Sequence, residues 1–204
     1  ECNLGFPKSL NKGLSFCKND IVFRMDTDDI CIRDRFKIQL EKFVSNKNLA
    51  VLGTNVTLIN DDSTEIVKNR KVPLMDKTIR SMMPYKNPFN HPSVVYRKSF
   101  VEMVGGYSNI HLYEDWFLWF KLSKLENVEF ENLDQKLLKY RIRTFNDRQG
   151  LEIIKAEYDF YLKLKSQGFI STKIFVLNIS IKFLVRILPA NLYNLFKHRF
   201  DEIG

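Results

Sequence analysis

Residues 21–36 read IVFRMDTDDICIRDRF, an apolar run that stops in three carboxylates, Asp26, Asp28 and Asp29, within four residues. The segment DIVFRM (20–25) is short and apolar and predicts a buried strand. Three ionised carboxylates this close repel one another, so a cation is their natural counterpart. Hard oxygen ligands suit Mg²⁺ or Mn²⁺ rather than zinc. Asp26 and Asp28 stand two apart at a strand end, so in extended geometry they face the same way. In open α/β sheets the ligand crevice lies outside the carboxyl ends of the strands. The cluster therefore sits where a metal–nucleotide complex would bind.

Other readings of the acids are weaker. An EF-hand loop starting at Asp26 would need Gly and Glu where the chain has Cys31 and Lys37. A haloacid-dehalogenase phosphohydrolase also opens with Asp-x-Asp, but usually carries Thr or Val where this chain has Ile30. A solvated turn with Asp29 or Asp34 capping the next helix accounts for one acid but not for three after a buried strand.

Strands and helices alternate along the chain, which predicts an α/β class with a mostly parallel sheet flanked by helices. Helices are expected at 7–17, with Leu10 and Leu14 at i,i+4, and at 33–46, with Phe36, Leu40, Phe43 and Val44 on one face. LAVLGTNVTLIN (49–60) reads as one or two strands, DKTIRSMM (76–83) as a helix, SVVYR (93–97) as a strand and KSFVEMVGGY (98–107) as a helix closed by a Gly pair. An apolar helix is expected over 115–125, then two strands in VEFENL and KLLKYRIR, then an amphipathic helix at 150–167.

The net charge of +8 points to an acidic partner, whether phosphorylated substrate, anionic lipid or nucleic acid. A nucleic-acid-binding module has only that charge in its favour, since no recognition motif accompanies it. Cys2, Cys17 and Cys31 match no zinc or CxxC spacing and read as reduced thiols of a cytosolic protein. The N-terminus lacks the apolar region of a signal peptide and an initiator Met. Residues 173–200, KIFVLNISIKFLVRILPANLYNLFKHRF, are apolar, basic and free of acids, with Lys182 and Arg186 interrupting the run and Pro189 breaking it. Two readings fit: a helix docked on the core, or an interfacial segment with cations toward anionic headgroups. The second is favoured because apolar content and one-signed charge coincide.

A second acidic pair, Glu114 and Asp115, opens the aromatic helix in NIHLYEDWFLWFKL. Alone it would read as helix capping. Paired with the first cluster it suggests glycosyl transfer, in which a metal neutralises a leaving diphosphate and a carboxylate takes the proton of the attacking hydroxyl.

Four segments in order carry a resemblance. NLGFPKSLNKGL (3–14) resembles N-x-G-L-A-K-A-L-N-x-G-I, and FRMDTDDICIRDRFKIQ (23–39) resembles A-R-M-D-A-D-D-I-x-x-P-x-R-x-x-x-Q. NPFNHPSVVYRKSFVEMVGGY (87–107) resembles N-x-x-x-H-P-S-V-M-F-R, and YEDWFLWFKL (113–122) resembles E-D-Y-D-L-W-L-R. LLKYRIR (137–143) fits the strand that follows. Together these resemble family 2 glycosyltransferases of the GT-A, Rossmann-like fold, in the bacterial polysaccharide and O-antigen branch. Arg33 and Asp34 depart from that branch's proline context.

The resemblance implies an inverting, Mn²⁺- or Mg²⁺-dependent transferase. It would move a sugar from a nucleotide donor, expected to be a UDP-sugar, to a growing surface glycan or polyprenyl-linked acceptor. No nucleic acid is expected as partner. Asp26 would hold the donor nucleotide with Lys8 and Asn11 lining its site; Asp28 and Asp29 would hold the metal. Asp115 would be the general base with Glu114 beside it, and His91 and Arg97 would line the cleft. Trp116 and Trp119 are expected in the core. The implied organisation is a GT-A core over 1–148, lacking the family's first strand–helix units, and a basic, apolar C-terminal helical region over 149–204. The expected location is cytoplasmic, peripheral at the inner face of the plasma membrane. The rival expectation is a catalytically inactive remnant acting only as a binding module.

Overall fold

In the computed structural model, residues 3–142 and 151–187 are described, apart from the side chains of 67–69, 151 and 184–187. Expectations for Cys2, Arg143 and the apolar basic stretch beyond 187, Pro189 included, lie outside the described residues. The chain divides into two compact units, Glu1–Thr144 and Phe145–Gly204.

The first unit is an α/β layer structure. Helix α1 (Phe6–Phe16) precedes strand β1 (Ile21–Phe23), β2 (Ile30–Cys31) and helix α2 (Arg35–Ser45). Then come β3 (Leu49–Ile59), β4 (Glu65–Arg70), α3 (Asp76–Met82), a 3₁₀ turn (His91–Ser93) and β5 (Val95–Arg97). Helices α4 (Lys98–Met103) and α5 (Glu114–Leu122) lead to β6 (Glu129–Arg141). The sheet runs β1-β5-β3-β6-β2, with β4 also on β3.

The α/β class is as expected, but the mostly parallel sheet is corrected to a mixed one. Among the described residues only β3–β6 is parallel; β1–β5, β3–β5, β3–β4 and β2–β6 are antiparallel. The short strands β1, β2 and β5 join the sheet from irregular loops rather than from helical crossovers, so nothing forces them parallel.

β3 is buried along nearly its whole length, because both flanks are paired and both faces covered. β6 is one strand rather than the two expected. Its pairing with β3 slips between Thr54↔Leu133 and Asn55↔Lys136, leaving two extra residues on β6. Asn55 closes this bulge, donating to both the carbonyl (3.0 Å) and the carboxylate (2.8 Å) of Asp134. One step earlier Gly53 faces Asn132. A Cβ there would lie 2.1 Å from Asn132 Oδ1, so only glycine leaves room for that amide. Asn132 Nδ2 in turn donates to the carbonyls of Pro73 and Pro88, fixing the loop that leads to His91.

Helix α2 differs most from expectation. The face turned inward is Arg35, Gln39 and Phe43; Phe36, Leu40 and Val44 are exposed. The two sets are offset by one residue, about 100° of helix rotation. The reason is a polar clamp. Arg35 Nε donates to Gln39 Oε1 (2.8 Å), and its Nη2 donates to the carbonyls of Arg24 (2.8 Å) and Val94 (3.4 Å). Gln39 Nε2 donates to the carbonyls of Leu52 (3.1 Å) and Ser93 (3.0 Å). Asp34 stands at the N-cap position but makes no side-chain capping bond.

The second unit contains helices α6 (Leu151–Ser166) and α7 (Thr172–Ile187), joined at Gly168 with φ 71°. Lys182 pairs with Glu157 at 3.1 Å, and Tyr158 meets Phe175 edge-on at 6.0 Å. No helix among the described residues is long and apolar enough to cross a membrane.

The clamp sets a sharp contrast between neighbours. Gln39→Ala removes two donors to buried carbonyls and the acceptor of Arg35 Nε, and is expected to cost about 2–4 kcal/mol. Leu40→Lys, one residue on, is expected to change stability by no more than about 0.5 kcal/mol. Urea unfolding of both variants checks this; equal losses would mean that the buried face is assigned wrongly.

Candidate active site

The first acidic centre hangs from the end of β1. Arg24 is buried there, its N–H extending the ladder to Val94 O at 3.0 Å. A buried guanidinium needs an anion, and it takes Asp26 with two bonds, at 2.7 and 3.0 Å. Asp29 turns inward, and its Oδ1 accepts the Arg141 backbone N–H at 2.8 Å while Oδ2 is buried with no hydrogen-bond partner. Burial pushes the Asp29 pKa up to about 6; the Arg141 N–H opposes this, and the charges of Asp26 and Asp28 add to it. Half-buried Asp28 accepts at its carbonyl from Arg141 Nε (2.9 Å). The turn 26–29 is thus stitched to the last residue of β6.

The second centre opens α5. Asp115 Oδ2 accepts from Asn87 Nδ2 at 2.8 Å, and its Oδ1 accepts the Trp116 N–H at 2.7 Å. His91, in the 3₁₀ turn, places Nδ1 3.9 Å from Asp115 Oδ2 and Nε2 3.0 Å from the Tyr107 hydroxyl. Burial, reinforced by the Arg24 charge, holds the His91 pKa well below its ordinary value. The ring is therefore neutral and its approach to Asp115 is not an ion pair. Burial pushes Glu114 up to about 7, with Asp115 and Asp26 adding and Arg24 opposing. Burial also raises Asp115, against the bonds from Asn87 and Trp116 and the Arg24 charge.

Ligand atoms of His91, Glu114 and Asp115 all lie within 4.8 Å of one another, close enough to share a cation. Both Asp115 oxygens and His91 Nε2 are already hydrogen-bonded, however, so this trio is better arranged for handling a proton. At the strand end Asp26 likewise has both oxygens bonded to Arg24, and among the described residues its ligand atoms do not converge with those of Asp28 and Asp29 as the trio's do. The orphaned Asp29 oxygen and the mutual repulsion of Asp26, Asp28 and Asp29 would both be relieved by a hard divalent ion.

Of the residues expected in the site, Asp26, His91, Glu114 and Asp115 share one electrostatic field centred on Arg24, with Asp28 and Asp29 on the adjoining turn. Lys8 is exposed on α1. Asn11 spends its amide on the backbone of Tyr107, donating to the carbonyl and accepting the N–H, both at 2.8 Å. Arg97 points the other way. It donates to the carbonyls of Phe43 (3.3 Å) and Asn46 (3.1 Å) and stacks on the Phe43 ring, while its neighbour Tyr96 takes the opposite face. Trp116 and Trp119 are buried, as expected.

Arg24, Asn87 and Tyr107 were not singled out by the sequence. Arg24 had a signal, a cation inside the end of a buried strand, which must find a counter-charge. Asn87 lay in a loop rich in Asn and Pro, where any polar residue could have served.

Comparison with known proteins bears on the same residues. The glycosyl transferase family 2 profile matches residues 1–104. The amylovoran biosynthesis glycosyltransferase AmsE of Erwinia amylovora is 37% identical over 100% of this chain and 76% of its own length. The UDP-Gal:α-D-GlcNAc-diphosphoundecaprenol β-1,3-galactosyltransferase of Escherichia coli is 35% identical over 94% of this chain and 70% of its own. Among solved structures, the mannosyltransferase PcManGT of Pyrobaculum calidifontis, in complex with GDP-Man and Mn²⁺, superposes with a TM-score of 0.55 at 11% identity. That match covers 88% of this chain and 48% of the mannosyltransferase, so the chain spans about half of that protein. TarS of S. aureus (1–349) gives 0.54 at 15% identity, over 90% of this chain and 51% of its own. These neighbours share the GT-A fold, and the chain belongs to glycosyl transferase family 2.

Proposed function

We propose that the chain transfers a sugar from a nucleotide-diphosphate donor to a hydroxyl of a growing surface glycan or lipid-linked acceptor, inverting the anomeric carbon. The observation that carries this reading is the common field of the two acidic centres: the charges of Asp26 and Arg24 both act on Glu114. A donor held at the strand-end acids would lie near the carboxylates of α5. A UDP-sugar and a polyprenyl-linked acceptor are supported by the name of the E. coli relative.

Asp115 is assigned as the base that accepts the acceptor hydroxyl proton. Burial raises its pKa, but two N–H donors from other residues oppose the rise, while Glu114 is pushed up to about 7. The two adjacent carboxylates thus stand in different hydrogen-bonding surroundings, which divides their roles. Asp26, with Lys8 on the donor side, is assigned to the nucleotide, and Asp28 and Asp29 to a divalent cation. Bound there, Mn²⁺ or Mg²⁺ would neutralise the charge developing on the departing diphosphate.

We infer further that α7 rests on an anionic membrane surface. Its exposed side presents Val176, Leu177, Ile181 and Phe183, with Lys173 and no acidic residue. Sedimentation with vesicles checks this: retention on phosphatidylglycerol vesicles and loss in Val176→Asp/Phe183→Asp is the expected result, and equal recovery in the supernatant refutes it.

Asp115→Asn is expected to lower turnover by roughly 10²–10⁴-fold. Calorimetry should find Mn²⁺-dependent UDP binding that is retained in Asp115→Asn and lost in Asp28→Ala. Wild-type turnover in the first variant removes the base, and undiminished binding in the second removes the metal site. An absence of UDP binding and turnover in the wild type would leave only a binding module.

Glu114 also makes stability depend on pH. Its folded pKa of about 7 exceeds the ordinary 4.5, so the folded state holds an extra proton between them and stability falls as pH rises through that window. Glu114→Gln should therefore match the wild type at pH 4.5 and exceed it by about 1–3 kcal/mol at pH 8. Thermal unfolding at both pH values reads this, and a variant less stable at pH 8 contradicts it.

A further inference from the structure

We propose that Tyr107 is a positioning residue for Asp115: its hydroxyl, bonded to His91 Nε2, holds the imidazole with Nδ1 turned toward the carboxylate, which keeps the ring proton on Nδ1. The proposal rests on Asp115 being the base, but its principal test does not.

A neutral imidazole has one N–H donor and one acceptor nitrogen. His91 is buried, with Tyr107 and Trp119 beside its ring at centroid distances of 5.6 and 6.0 Å. Its Nε2 lies 3.0 Å from the Tyr107 hydroxyl and its Nδ1 faces Asp115 Oδ2 at 3.9 Å. With the proton on Nε2, the Nδ1 lone pair would face a carboxylate, acceptor against acceptor. With the proton on Nδ1, Tyr107 donates to Nε2 and the N–H faces Asp115. The 3.9 Å gap is too long for a hydrogen bond as it stands, and such gaps tighten when substrate binds. Asp115 already collects N–H groups from Asn87 and Trp116, and His91 would supply the third.

Tyr107 is suited to donate. Burial raises its pKa well above the usual value, so the hydroxyl stays protonated; it also shares a hydrogen bond with Tyr96, and the one Tyr107 proton goes to His91 only when the Tyr96 hydroxyl donates to the Tyr107 oxygen. Its backbone is pinned from three sides. Asn11 takes both its N–H and its carbonyl. Lys121 Nζ donates to the carbonyls of Val104 and Gly106. Gly105 and Gly106 turn with φ of 76° and 67°, and a Cβ on Gly106 would lie 2.5 Å from Asn11 Oδ1. Asn11 thus acts on the site through Tyr107, from 96 residues away in sequence.

Long-range ¹H–¹⁵N correlation of the ¹⁵N-histidine-labelled chain tests this, with the His91 signals assigned by their loss in His91→Gln. The expected result is the Nδ1–H tautomer in the wild type with an Nε2 shift typical of a hydrogen-bonded lone pair, and an Nε2 shift moved toward that of an unbonded lone pair in Tyr107→Phe. An Nε2–H tautomer in the wild type overturns the proposal, as does an Nε2 shift unchanged in Tyr107→Phe. The wild-type Nε2 shift by itself shows whether that lone pair is hydrogen-bonded, even if the variant fails to fold. Where transfer is measured, Tyr107→Phe should lower kcat roughly 10-fold at unchanged donor KM. A chain without transferase activity would fail the functional reading while leaving the tautomer result to stand or fall by itself.

Discussion

The geometry of both acidic centres depends on one buried cation. Arg35 has no exposed surface, yet it donates to no carboxylate; its bonds go to Gln39 and to the carbonyls of Arg24 and Val94. Gln39 extends the grip to Leu52 and Ser93. One i,i+4 pair on α2 thereby joins the end of β1, the middle of β3 and the turn carrying His91. A well-packed apolar pair would serve stability as well or better. What it could not do is fix four carbonyls at set positions, and three of those belong to the segments from which Asp26 and His91 project.

Above the clamp, a second arginine sets the electrostatics. Arg24 neutralises Asp26 and opposes the effect of burial at Asp29, Glu114 and Asp115, while helping to keep His91 uncharged. Burial raises Asp29, Glu114 and Asp115, and the Arg24 charge works against that rise at each. One fixed positive charge lets some ionise while Glu114 stays poised near 7.

The sequence was informative wherever chemistry and burial point in opposite directions. Three acids after an apolar run stand out, and so does the Glu114–Asp115 pair before an aromatic helix. The sequence misled where polar residues are buried and apolar ones are not. Phe36, Leu40, Phe43 and Val44 form a convincing helical stripe, yet of these only Phe43 is buried, and Arg35 and Gln39 join it in the core because buried carbonyls require donors there. Arg97 looked like a cleft residue through its place in a motif; strand alternation turns it away, since Tyr96 holds the inward position. Tyr107 had no periodicity to mark it, being one aromatic after two glycines whose partner lies at residue 11. The direction of β5 and the existence of two-residue β2 depend on long-range pairing that local patterns do not encode.

The β3–β6 pairing also governs when a site can exist. Its partners lie roughly 80 residues apart, so the pairing must close a long loop before it is rewarded. On the ribosome that interval takes roughly 4–16 s. Throughout it the Asp26–Asp29 turn lacks Arg141, its anchor, and β3, buried almost throughout in the finished fold, has no partner on one side. The nascent chain therefore passes through a stage in which its central strand is open to other chains, and the two acidic centres come together only near the end of the synthesis of this unit.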